Sequence, residues 1–307
     1  MISHSLSPGR KSGINKTGIN KAGSKKACVI ALHCSLGSGR QWSKLAQELG
    51  PDSLGPGYDV IAPDIAGYGD NRGWLELPVT LSEEIAALGG IDRAIGAIHL
   101  VGHSYGGAIA FKMATASPFA DRVRSLTLVE PVLPTLLDEG DADREQFARL
   151  SREVSADLWN RQPSRAIDRF LKFWNGSAPP DELPAEARLR MIERVEKIAF
   201  DFTAAFDELT VAAAAACIRV PTLLISAGQS PRLTQRIAER LAAIIPNAET
   251  RHVLTAGHML PITHARLVNP EITAHIARVD ASAQAASARG SAAAAAAGGR
   301  ALDPAAE

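Results

Sequence analysis

The chain alternates two hydrophobic rhythms. Short apolar runs rich in β-branched residues stand at 27–32, 58–62, 97–102, 124–130, 221–227 and 249–254, and segments with apolar residues at helical spacing separate most of them. Runs such as Ile98-His99-Leu100-Val101-Gly102 and Leu126-Thr127-Leu128-Val129 are apolar almost throughout instead of alternating, the pattern of strands covered by helices on both faces. Strands that alternate with helices pair in parallel, so the pattern predicts an α/β fold, a mostly parallel sheet flanked by helices. The rhythm breaks once. From 131 to 220 no strand pattern occurs, while 144–160, 163–175 and 184–210 carry helical spacing. This predicts a helical cap inserted into a core made of 27–130 and 221–280.

The cap holds eight of the fifteen aromatic residues, Phe147, Phe170, Phe173 and Trp174 among them. Most are expected to pack the cap's own core and some to line an apolar pocket over the sheet. The two ends of the chain have a different composition. Residues 1–26 carry Arg10, Lys11, Lys16, Lys21, Lys25 and Lys26, no acid and no apolar stretch of the secretory-leader kind, and are expected to be a flexible basic arm. Residues 281–307 are mainly Ala, Gly and Ser, with too little apolar side chain to offset the entropy of ordering, and are expected to be a disordered tail.

Composition narrows the partners. With 46% hydrophobic and 21% charged residues in 307, the chain has the balance of a soluble globular protein. Lys plus Arg equals Asp plus Glu at 33 each, so no global field favours a polyanion and nucleic acid is not an expected partner. No run of 18 apolar residues occurs, so no membrane-spanning helix is expected. Cys28, Cys34 and Cys217 are too few for a disulfide framework, which points to reduced thiols and a cytoplasmic location. Metal-ligand spacings, phosphate-cradling loops and dinucleotide fingerprints do not occur, so the expected ligand is a small-molecule substrate with no metal and no cofactor.

The candidate chemistry lies at strand ends. Gly102-His103-Ser104-Tyr105-Gly106-Gly107 follows one predicted strand and opens a predicted helix over 108–116. A bare Gly-x-Ser-x-Gly is a weak signal, but between strand and helix it reads as a nucleophile elbow that exposes Ser104 at the carboxyl edge of the sheet. A serine hydroxyl needs a base. Of eight histidines, His258 lies just past the last strand at that same edge, whereas His4 is in the arm, His33 ends the first strand, His99 and His252 lie inside strands, His103 adjoins Ser104 at a sharp turn where adjacent side chains diverge, and His264 and His275 fall on the terminal helical stretch. The acid is found by elimination: 222–238, after the first post-cap strand, contains no Asp or Glu, while Glu130 ends the strand that follows the elbow unit. A carboxylate there can orient the far nitrogen of His258. Asp64 is the rival, in a turn-rich segment where Asp commonly bonds its own backbone. For a tetrahedral oxyanion the expected donors are the Tyr105 N–H at the helix start and the Ser35 N–H in the loop after the first strand, with Leu36 as the alternative to Ser35.

The order of strand, His33 loop, Pro63-Asp64-Ile65-Ala66-Gly67-Tyr68-Gly69, Gly-His-Ser-Tyr-Gly-Gly elbow, helical cap and Ala256-Gly257-His258 resembles the α/β-hydrolase superfamily over about residues 27 to 279. The resemblance implies Ser104 as nucleophile, His258 as base and the cap as lid and specificity element. The position of Glu130 is similar to the acid placement of haloalkane dehalogenases, whose nucleophile is an aspartate, so Ser104 argues against dehalogenation. Three departures stand out: Cys34 where the superfamily usually has Gly after His33, no acid after the post-cap strand, and no antiparallel opening strands before Ala27. The expected function is a serine hydrolase that cleaves a carboxylic ester of a small, mainly apolar substrate through an acyl-enzyme. The alternatives are carbon–carbon bond hydrolysis, peracid formation by the same triad, or a hydrolase-like scaffold that binds a ligand without turnover.

Overall fold

The structure is a computed structural model and describes residues 27–51, 57–71, 79–175 and 184–298. Among these residues six strands form one sheet: β1 (Cys28–Leu32), β2 (Asp59–Ile61), β3 (Ile98–His103), β4 (Val123–Val129), β5 (Thr222–Ala227) and β6 (Ala248–Val253). Their order is β2-β1-β3-β4-β5-β6, and every pairing is parallel. The α/β fold predicted from the apolar runs is the fold observed.

Alternating residues divide the sheet into two apolar faces. Ile30, Leu32, Leu100, Leu126 and Leu128 pack under α2 (Leu81–Ala87), α3 (Tyr105–Ala116) and α9 (Arg232–Ile244). Val29, Ala31, Val101, Val129 and Ile225 face α1 (Ser43–Leu49) and α11 (Ala265–Gly298), whose Val268, Ile272 and Ile276 are buried. Each fully buried aliphatic side chain stabilises the fold by roughly 1.5–3 kcal/mol. Between β4 and β5 come five helices among the described residues: α4 (Ala142–Trp159), α5 (Pro163–Asn175), α6 (Ala185–Ile192), α7 (Val195–Asp207) and α8 (Val211–Cys217). The helical spacing over 184–210 thus resolves into two helices, broken at Glu193 and Arg194. A short helix, α10 (Leu260–Thr263), precedes α11.

One expectation is corrected. Residues 281–298 are helical, not a disordered tail, because α11 continues through them. Nucleation is the costly step in helix formation, and α11 is already nucleated and anchored on the sheet upstream, so an Ala-rich extension needs only cheap propagation. The predicted basic arm over 1–26 and the last residues, 299–307, lie outside the described residues.

The strand order reverses direction between β1 and β3, and a crevice opens outside the carboxyl ends at such a switch point. Ser104, Glu130 and the loop after β1 all lie at that edge.

Candidate active site

Ser104 is the single residue between β3 and α3, with φ 57° and ψ −121°. A side-chain-bearing residue enters this region only when its surroundings force it there. Here Ser104 N–H donates to the Val129 carbonyl (3.0 Å), and its own carbonyl accepts from Gly107 (2.9 Å) and Val132 (3.2 Å), so the turn is pinned to β4 and the segment after it. Two glycines make the turn sterically feasible. A Cβ at Gly102 would stand 2.3 Å from the Gly106 carbonyl oxygen, and one at Gly106 would stand 2.3 Å from the His33 carbonyl oxygen. The first turn of α3 is thereby pressed against the chain leaving β1.

His258 Nε2 lies 2.8 Å from Ser104 Oγ, and His258 Nδ1 lies 3.0 Å from Glu130 Oε2. All three side chains are buried. Glu130 follows β4 with φ 48°, another left-handed residue that is not glycine. Its carboxylate also accepts from the Ala227 N–H (2.8 Å, Oε1) and the Thr234 hydroxyl (3.0 Å, Oε2), so it is held in place from β5 and α9. Since a carboxylate only accepts, the Nδ1–H of His258 is the donor in that contact, which leaves Nε2 free to accept from the serine hydroxyl. Asp64 is spent elsewhere. Its carboxylate accepts from the Gly39 and Asp70 N–H groups, each at 2.7 Å, and closes the turn it sits in.

Two further residues hold the imidazole. His103 Nε2–H donates to the His258 carbonyl (2.8 Å), and burial, reinforced by the nearby His258, keeps His103 well below the ordinary histidine value, so its ring is a neutral tether. Trp174, from cap helix α5, stacks on the His258 ring at 4.0 Å between centroids and 19° between planes. The sequence marks Trp174 only as one of several cap aromatics, and His103 only as a neighbour of Ser104 that is a poor candidate base. Both contacts depend on how distant segments dock, which no local spacing encodes.

Tyr105 is the first residue of α3, so its N–H has no partner within the helix. Ser35 and Leu36 lie in the loop after β1 and line one cavity with Ser104. That loop turns through Leu36 at φ 60° and is closed by the Gly37 N–H donating to Cys34 O (3.0 Å). Ser35, Leu36, Ser104 and His258 line a cavity of about 790 Å³ whose cap wall includes Phe170, Leu171, Trp174 and Met191. Cys34 borders the same cavity, but burial pushes its thiol up to about 12, so it stays protonated and is a poor nucleophile. Of the four non-glycine residues with positive φ among those described, Leu36, Ser104 and Glu130 are at this site.

A strained serine between strand and helix, wired to a histidine and a carboxylate, is set here in a parallel sheet whose sequence fits one family profile. A model of the alpha/beta hydrolase fold matches residues 28–265. The chain belongs to that family. Among curated proteins, the chain is 34% identical over 109 residues to Lipase LipV of Mycobacterium tuberculosis, a match covering 35% of this chain and 38% of the lipase. It is 28% identical over 200 residues to the polyketide synthase ThaQ of Burkholderia thailandensis, covering 62% of this chain and 9% of the synthase. These matches therefore span well under half the length of the curated relatives. Among solved structures, MenH from S. aureus superposes with a TM-score of 0.66 at 18% identity, covering 84% of this chain and 96% of that one. At such identity the likeness shows the fold alone. No helix among the described residues is long and apolar enough to cross a membrane.

Proposed function

We propose that this hydrolase cleaves a carboxylic ester of a small, mainly apolar substrate through an acyl-enzyme at Ser104. His258 takes the Oγ proton as Ser104 attacks the carbonyl carbon, and the Glu130 carboxylate stabilises the imidazolium that forms. The N–H groups of Tyr105 and Ser35 hold the negative oxygen of the tetrahedral intermediate, helped by the positive end of α3. As the intermediate collapses, His258 returns the proton to the departing alcohol oxygen. Water then attacks the acyl group, with His258 again as base, and frees the acid and Ser104.

The observation that carries this reading is the unbroken Ser104–His258–Glu130 relay, at 2.8 and 3.0 Å, opening on a cavity with an apolar cap wall. The partial likeness to a lipase supports an ester as the substrate. A panel of p-nitrophenyl esters with graded acyl chains, run on wild type and Ser104→Ala, tests it. Short and medium chains are expected to turn over, with Ser104→Ala slower by about 10⁶-fold. Equal hydrolysis by the two proteins would refute the assignment.

A further inference from the structure

Six polar side chains from five separate parts of the chain meet beneath the site. Lys197 on α7 donates to Glu84 Oε1 on α2 (2.5 Å) and to Asp201 Oδ1, one turn further along α7. Asp201 Oδ2 accepts from the Ser35 hydroxyl (2.5 Å) and from the Tyr68 hydroxyl (2.6 Å). Glu84 Oε1 accepts from the Tyr105 hydroxyl (2.8 Å). The Lys197 ammonium also sits 5.0 Å from the Tyr105 ring centre and 5.5 Å from that of Tyr68. Lys197 is 2% exposed, Glu84 0% and Asp201 4%.

Buried ion clusters are weak stabilisers, because desolvation offsets most of the attraction and apolar replacements of like volume are frequently as stable. This cluster does something an apolar patch would not. Ser35 and Tyr105 are the two residues whose backbone N–H groups face the oxyanion in the proposed reaction, and the side chain of each ends on this cluster. The bonded path Ser35–Asp201–Lys197–Glu84–Tyr105 joins the two donors around the back of the site, and Tyr68, Glu84, Tyr105, Lys197 and Asp201 are absent from the cavity lining. The loop that needs such support is the one where Cys34 replaces glycine and Leu36 is left-handed. On its other side it is gripped by His33, whose Nδ1–H donates to Cys34 O (2.7 Å) and whose Nε2 accepts from the Ile65 N–H (2.9 Å).

We propose that Glu84, Lys197 and Asp201 are positioning residues that set the spacing of the Ser35 and Tyr105 N–H groups, making α7 of the cap a working part of the oxyanion hole. This rests on the ester-hydrolase reading above. The cluster exerts its effect only where charge develops on the substrate oxygen, so ground-state binding is not its readout.

The test uses the full chain as wild type, Ser35→Ala, Asp201→Asn and the double variant. Ser35→Ala keeps the backbone N–H and removes only the tie. Each protein is assayed with p-nitrophenyl acetate, with an aryl trifluoromethyl ketone that adds to a catalytic serine to form an oxyanion, and with the matching secondary alcohol, which forms none. Thermal melts check folding. The singles are expected to lower kcat and weaken the ketone by the same factor, about ten- to a hundredfold, below the loss from deleting an oxyanion donor outright. KM and alcohol affinity stay within about twofold, and the double variant loses little more than the worse single because both cut one path. Variants that match wild type in kcat and ketone affinity overturn the proposal while leaving the hydrolase reading intact, as does equal loss of ketone and alcohol binding. Wild type that neither turns over the ester nor binds the ketone overturns both.

Discussion

Among the described residues two serine–histidine–carboxylate chains occur, and they differ in everything except their components. Ser104, His258 and Glu130 meet at the carboxyl edge of the sheet. At the opposite end of the same strands, His99 Nδ1 lies 2.8 Å from Ser125 Oγ, and His99 Nε2 lies 3.3 Å from Asp280 Oδ1. His99 and Ser125 are directly opposite each other on β3 and β4, and both are fully buried. Ser125 sits mid-strand with its backbone in the ladder, has no strained turn to lift it and is absent from the lining of the cavity in front of Ser104. Asp280, whose carboxylate also takes the Tyr58 hydroxyl (2.8 Å) and Arg124 (3.0 Å), ties α11 to the sheet. The lesson is that a serine lying beside a histidine and a carboxylate is not thereby a nucleophile. What distinguishes Ser104 is the left-handed backbone that presents it, the helix N-terminus beside it and the cavity in front of it.

Exchanging the chemistry of the two chains sharpens that contrast. Glu130→Gln is expected to lower kcat by about 10²- to 10⁴-fold with folding retained, since the amide can orient the imidazole wrongly and cannot stabilise its charge. Asp280→Asn is expected to leave kcat unchanged and lower the melting temperature. Burial raises the Asp280 carboxyl, but bonds from His99, Tyr58 and Arg124 prevail and hold it at about 2. Its folded value is below its unfolded one, so its contribution is complete above about pH 4 and is lost as pH falls through 2. In Asp280→Asn, unfolding measured from pH 5 to 2 should lose part of its acid dependence. An unchanged slope would remove the anchoring role.

Ser125→Ala is expected to leave ester turnover within twofold and destabilise by about 1–3 kcal/mol, the cost of stranding a buried ring nitrogen. A large loss of turnover would erase the distinction between the chains. Trp174→Ala should lower kcat/KM by about tenfold, because the His258 ring loses its stacked wall, and a matching loss of thermal stability without a kinetic effect would instead make the tryptophan a packing residue.

The last effect is on stability and concerns His33 and His103, which lie outside the two chains. Burial lowers His33 to about 4 and takes His103 well below the usual value, so between pH 6.5 and 4 the unfolded chain binds protons that the folded one refuses. Stability is therefore full above pH 6.5 and falls with acid, by up to about 1.4 kcal/mol per pH unit for each ring. Glu84, raised mainly by burial against the pull of Lys197, takes up a proton sooner in the folded chain than in the unfolded one and opposes the trend. Two rings outweigh one carboxyl, so urea midpoints should drop from pH 7 to pH 5. A rise would contradict the neutral-tether role of His103.

Much of this was legible in the sequence because it is locally determined. The four inner strands, β1, β3, β4 and β5, fall within a residue of an apolar run, since burial on both faces leaves no room for polar alternation, whereas the edge strands β2 and β6 stay partly exposed. Glu130 could be reached by elimination, because the segment that should carry the acid has none. Trp174 on His258, His103 under it and Lys197 between Glu84 and Asp201 were illegible, as each contact joins elements that only cap docking brings together. The reach of α11 is illegible for the opposite reason: composition takes no account of the anchored helix that precedes residues 281–298.

The most direct measurement is to treat the wild-type chain with a fluorophosphonate, digest it and locate the adduct by mass spectrometry. The account predicts a single stoichiometric adduct on the peptide carrying Ser104, absent in Ser104→Ala. An adduct on Ser125, or none on a folded protein, would contradict it.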